Sequence, residues 1–170
     1  MSPKSHKVPY REPDDPRNLR DVLGCFATGV TIITGRAPDR QLLGFTANSF
    51  NSVSLDPPLV LFSLDRKAQS LRGFQSSSHF AVNILAEDQH ALSTQFARTS
   101  GDKWQGVEFV EWEGGCPILL GVIASFECRI RDMHGGGDHV IFVGEVERMT
   151  AEAGGKPLLY FRGKYAGIAD

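Results

Sequence analysis

The 170-residue chain carries almost no net charge: 18 basic side chains against 20 acidic ones leave a formal −2. That removes the electrostatic grip that nucleic acid or an anionic membrane surface requires. No apolar run reaches the length of a bilayer span, and the first eleven residues are too polar for a secretory signal. Cysteine is scarce. Cys25, Cys116 and Cys128 are widely spaced, odd in number and free of any C-x-x-C pair, which argues against a disulfide framework and a structural zinc site. No G-x-G-x-x-G follows a strand, and neither G-x-x-x-x-G-K-[ST] nor G-x-S-x-G occurs, so the βαβ nucleotide folds and the serine hydrolases are set aside. The expectation is a cytoplasmic protein with no nucleic-acid or membrane partner and with buried or idle thiols. Cys25, beside Phe26 on the first helix, is expected on the inner face as a small core residue.

The first dozen residues are basic, Pro-containing and aperiodic, so residues 1–15 are expected to form a mobile arm, and residues 16–170 a single domain. Asp15-Pro16 has the form of a helix start, with Asp as N-cap and Pro at the first helical position. Leu19, Val22, Leu23 and Phe26 then keep helical spacing. Strands are expected at residues 30–34, 42–46, 59–64, 79–85, 123–133, 139–149 and 158–165, with short helices at 69–74 and 88–96. Residues 99–115 mix glycine, charge and two tryptophans, and suggest an irregular surface region. Strands outnumber helices and follow one another without helical crossovers. This predicts a mainly β fold with flanking helices, an antiparallel barrel closed or partly closed.

Four stretches could carry chemistry. The run from Gly44 to Phe62 spends nearly every position up to Ser54 on small hydroxyl and amide side chains, and such donors need either solvent or a polar planar ligand along the strand edge. Arg66, Lys67 and Ser70 precede a helix and would suit a phosphate, or simply form a solvated turn. Gly135, Gly136 and Gly137 exceed what a tight turn needs, so the backbone there could pass close to a bound group or be a floppy hairpin. His139, which follows, could donate to a ligand carbonyl, move a proton or hold the loop through Asp138. A metal would need His134, Asp138 and His139 to converge and still lacks a fourth ligand. Tyr160, Phe161, Arg162, Gly163, Lys164 and Tyr165 mix aromatic faces with cations, as a stacking site or as a last strand of alternating faces.

Five blocks occur in one order: FATGVTIIT (residues 26–34), GFTANSFNSVSLDPPLVLFSL (44–64), HFAVNIL (79–85), GGDHVIFVGEV (136–146) and PLLYFRGKY (157–165). In that order the chain closely resembles the flavin reductase-like family, the NAD(P)H:flavin oxidoreductases that supply reduced flavin to two-component monooxygenases. The resemblance implies a homodimeric, FMN-binding split β-barrel. It implies FMN or FAD as cofactor, NADH or NADPH as co-substrate, and a flavin-dependent monooxygenase as partner. It places Gly44, Phe45, Thr46, Ala47, Asn48 and Ser49 along the isoalloxazine and ribityl chain. Ser63, Leu64, Asp65, Arg66, Lys67 and Ser70 fall on the phosphate side, and Gln95, Phe96 and Ala97 close over the flavin. His139 would be catalytic, positioning the nicotinamide or donating a proton, and Tyr160, Phe161, Arg162 and Gly163 would meet the pyridine nucleotide. A tight FMN-binding electron carrier and a non-catalytic flavin-binding module are the alternatives.

Overall fold

The computed structural model describes residue 10 and residues 12–169. Most of the expected N-terminal arm lies outside the described residues. The first element forms as its sequence dictates: Asp15 Oδ1 accepts the Arg17 N–H at 2.8 Å, Pro16 takes the first helical position, and α1 runs Pro16–Leu23 to a Gly24 cap. Its apolar stripe, however, is left largely uncovered by the described residues. No residue of α1 is buried, Cys25 is exposed, and Val22, Leu23 and Phe26 are 63%, 62% and 76% exposed. The expectation that Cys25 is a core residue is therefore wrong. Helical periodicity shows that one face is apolar, not that this chain itself covers it.

Strand β1 (Thr28–Gly29) leads into β2 (Thr31–Arg36), β3 (Leu42–Ala47), β4 (Asn51–Leu55) and β5 (Pro58–Asp65). After α2 (Leu71–Ser76) come β6 (His79–Ile84), α3 (His90–Ala97), β7 (Phe109–Glu111), β8 (Pro117–Leu119), β9 (Ala124–Gly136) and β10 (His139–Ala151), then β11 (Leu159–Phe161) and β12 (Lys164–Ala166). Seven strands form one sheet in the order β3-β2-β6-β9-β10-β5-β4, antiparallel at every pairing. The fold is mainly β with few helices. None of those helices, among the described residues, is long and apolar enough to cross a membrane.

The sheet curls around an aromatic core. Phe62 stacks on Phe142 at 4.8 Å and meets Phe80 edge-on at 4.9 Å, while Phe45 from the far edge strand comes within 5.7 Å of Phe62. The ends of the sheet are thus brought together, although its backbone ladder stays open among the described residues. Ser49 stitches the gap: its Oγ accepts the Ser63 N–H at 3.0 Å and donates to the Ser63 carbonyl at 3.1 Å. The β2 residues alternate between two cores, with Ile33 in the aromatic one and Ile32 beside Leu85, Phe96 and Leu158 in a second. Buried Asn83 ties the layers by donating to the Ile32 carbonyl and accepting from Leu119 N–H and Ser125 Oγ.

Three local expectations sharpen or change. The polar run divides between the two partners open to it: residues 51–55 form the edge strand β4, largely exposed to solvent, while the residues before it turn away from that edge. The glycine run is not a loose loop either. Gly135 and Gly136 belong to β9, opposite Val140 and His139, and the turn is only Gly137, at φ +64, with Asp138. The last expected strand is a hairpin, because Arg162 (φ 48) and Gly163 (φ 76) reverse the chain and return β12 along β11.

Candidate active site

A cleft of about 450 Å³ opens where the curled sheet nearly meets itself. The end of β3 and the residues after it contribute Phe45, Thr46, Ala47, Asn48 and Ser49. The end of β5 and the turn before α2 contribute Ser63, Leu64, Asp65, Lys67 and Ser70, while the end of α3 adds Phe96 and Ala97. His139, first residue of β10, completes the rim because it pairs with Asp65 across the ladder. Residues separated by almost a hundred positions converge because β3 and β5 end, and β10 begins, on the same side of the gap.

Seven of the expected site residues do not line this cleft directly, and each has a local reason. Gly44 packs under α3: a Cβ there would stand 2.4 Å from the Phe96 ring, so the glycine lets β3 and α3 approach. Arg66 turns to the β9–β10 hairpin, donating from Nε to the Gly137 carbonyl at 2.9 Å. Gln95 holds the following loop through the carbonyls of Lys103 and Gln105, at 2.9 and 3.0 Å. Phe161, Arg162 and Gly163 are drawn away by their hairpin: Arg162 N–H donates to the Gly24 carbonyl at 2.8 Å, and its guanidinium lies over the Phe161 ring. Tyr160 stays nearer, lining with Tyr165 a small annex of about 200 Å³ that also touches Thr46, Ala47, Asn48 and Ala97.

The cleft is built for negative charge. Lys67, Arg98 and Lys103 line it, and none has an ion-pair partner among the described residues. Asp65 is occupied in the turn, where Oδ1 accepts the Lys67 N–H at 2.7 Å. Burial pushes the Lys103 ammonium below its ordinary range, and Nζ donates to the Phe96 carbonyl at 3.1 Å and the Gly44 carbonyl at 3.4 Å. On the opposite rim Asp138 Oδ1 lies 2.7 Å from His139 Nδ1, and this hydrogen bond holds the Asp138 carboxyl below the usual carboxylate range. An ionised carboxylate only accepts, so it fixes the proton on Nδ1 and leaves Nε2 for a ligand. The helix α2 is only six residues long and Ser70 makes no side-chain cap bond, so the anion site rests on side chains rather than on a helix dipole.

Arg98, Thr99 and Lys103 belong to no motif, and residues 99–115 have the composition of an irregular surface, yet all three line the cleft. One signal was present: Trp104 needs an apolar partner, and it finds Phe96 at 5.0 Å and Phe109 at 5.4 Å, folding its neighbours over the cleft. Among the described residues no group of three or more His, Cys, Asp or Glu is placed to hold a metal ion.

The family model for the flavin reductase like domain matches residues 23–169. The chain belongs to the flavin reductase-like family. It is 44% identical over 151 residues to a probable flavin reductase of Rhizobium meliloti, a match that covers 89% of this chain and 48% of that one. The chain thus spans about half the length of that relative. With the flavin-dependent monooxygenase reductase subunit HsaB of Rhodococcus jostii it shares 42% identity over 154 residues, 91% of this chain and 78% of that one. The fold is similar to that of the Streptomyces globisporus NADH:FAD oxidoreductase SgcE6, solved with NAD and FAD fragments. There the TM-score is 0.90 at 37% identity, covering 95% of this chain and 98% of that one.

Proposed function

We propose that this flavin reductase-like chain is an NAD(P)H:flavin oxidoreductase that reduces FMN or FAD with NADH or NADPH and passes reduced flavin to a flavin-dependent monooxygenase. The observation that carries the reading is the cleft itself, with a polar strand edge on one side and, on the other, cations that form no ion pair among the described residues. A flavin presents both complements, a planar ring with a polar edge and an anionic tail.

A bound flavin supplies the chemistry, accepting a hydride from the nicotinamide. The chain's residues align and enclose. Backbone N–H groups and the Asn48 amide of this stretch would meet the ring's polar edge and favour negative charge there, while the Thr46 and Ser49 hydroxyls donate to the Ser93 and Ser63 carbonyls and hold the wall in shape. Lys67 and Ser70 hold the phosphate. Phe45 and Ala97 give apolar surface that keeps water from the reacting faces, and Phe96, wholly buried, backs that wall. His139, its ring oriented by Asp138, positions the nicotinamide or a proton through Nε2.

The curled sheet, stitched at Ser49 and Ser63, is the split β-barrel of this reading. The exposed stripe of α1 supports a homodimer. Phe26 lines a further cavity of about 480 Å³ together with Asn48 and Ser49, so a second copy laid on α1 would stand beside the cleft. The reading places the protein in the cytoplasm, beside its monooxygenase.

His139→Ala should slow nicotinamide oxidation about fivefold, the worth of one positioning hydrogen bond, with flavin affinity unchanged. Steady-state rates beside flavin titrations check this, and an unaltered rate removes His139 from the mechanism.

A further inference from the structure

A second groove, of about 550 Å³, runs on from the cleft. Gln69, Ser70, Thr99 and Lys103 line both cavities and mark the boundary between them. Beyond the boundary the second groove is lined by Leu42, Leu43 and Trp104, with Gln41 and Asp102 as its polar groups. Neither the aromatic core nor the hydride chemistry needs this space.

The boundary is cationic. Two carbonyls hold the Lys103 ammonium, which leaves one of its three N–H groups for a ligand. A half-buried cation with no carboxylate partner is favoured by an arriving anion. Lys67 and Ser70 serve the cleft side of the same edge. A single phosphate ester ends there, whereas a pyrophosphate carries a second phosphate on toward Lys103 and into the groove.

What lies past the boundary has the chemistry of a nucleoside site. Leu42 and Trp104, both half-buried, offer apolar surface to a purine face, whereas Leu43 is buried in the aromatic core. Gln41 offers an amide to its edge, its side chain free because only its backbone is engaged in the turn. Asp102 accepts the Trp104 N–H through Oδ1 at 2.9 Å, which leaves Oδ2 for ribose hydroxyls, the pairing that acidic side chains make in other nucleotide sites.

Resting on the flavin reading above, we propose that the second groove binds the adenylate half of FAD, with Lys103 on the pyrophosphate, so that the chain selects FAD over FMN. FMN fills the cleft alone; FAD fills both.

Calorimetric titration with FAD, FMN and riboflavin, with no nicotinamide present, tests this. FAD should bind about tenfold or more tighter than FMN. AMP should compete with FAD and leave FMN binding untouched. Gln41→Trp, which fills the groove from its exposed rim, should lower FAD affinity about tenfold while FMN and riboflavin stay within about twofold. Equal affinities for FAD and FMN in the unaltered protein overturn the proposal, as does a Gln41→Trp loss shared equally by both flavins. AMP that competes with NADH but not with FAD also overturns it, by assigning the groove to the dinucleotide. Failure of all three flavins to bind overturns the flavin reading itself.

Discussion

Glu127→Ala should lose about 3–5 kcal/mol of folding stability, a large share of what a domain of this size holds. Glu127 is fully buried on β9, and its carboxylate is the acceptor for three donors from elsewhere in the fold. Gly114 N–H lies at 3.0 Å, Cys116 N–H at 3.3 Å and Arg148 Nη1 at 3.2 Å. Arg148 goes on to pair with Glu113 and Glu147. Truncation orphans two backbone donors, opens a cavity and strips the guanidinium of its buried partner at once. Glu127→Gln keeps the volume and one acceptor and should fall well short of that loss. Urea unfolding of the three proteins measures the difference, and an alanine variant within about 1 kcal/mol of the parent would show that the network contributes nothing net. The same carboxylate acts on its surroundings: burial first, and then Glu127, pushes the Cys116 thiol up to about 12. Cys128 is pushed up as well, chiefly by burial. Neither thiol is a nucleophile at neutral pH.

Lys67→Ala should weaken FMN binding about tenfold and leave riboflavin binding unchanged. Lys67 reaches the cleft from an exposed turn whose backbone is set by Asp65, so its ammonium acts in partly solvated surroundings. A charge-assisted bond there contributes about 1–2 kcal/mol, and raised salt reduces it. Riboflavin has the same ring and ribityl chain without the phosphate, which isolates the contact. Equal losses for the two flavins would remove Lys67 from the phosphate site.

The parts of the fold legible in the sequence are those whose cause is local. Asp15-Pro16 caps a helix through its own geometry, and residues 79–85 are apolar enough to announce a strand buried on both faces. The cleft wall from Phe45 to Ser49 was legible for a related reason, since a dense polar run next to a buried strand needs partners. What stayed hidden depends on distant residues. The apolar stripe of α1 names no partner, and none of the described residues buries it. The reversal at Arg162 uses a left-handed conformation at a residue that rarely adopts it, so residues 158–165 looked like one strand. Lys103 enters the cleft only because Trp104 docks against Phe96 and Phe109, a contact with no sequence period.

The decisive measurement is nicotinamide oxidation by the purified protein with and without added FMN, FAD or riboflavin. The account predicts a negligible rate without flavin and a rate that rises and saturates as flavin is added. Flavin binding with no oxidation of either NADH or NADPH would contradict it and leave a flavin-holding module in its place.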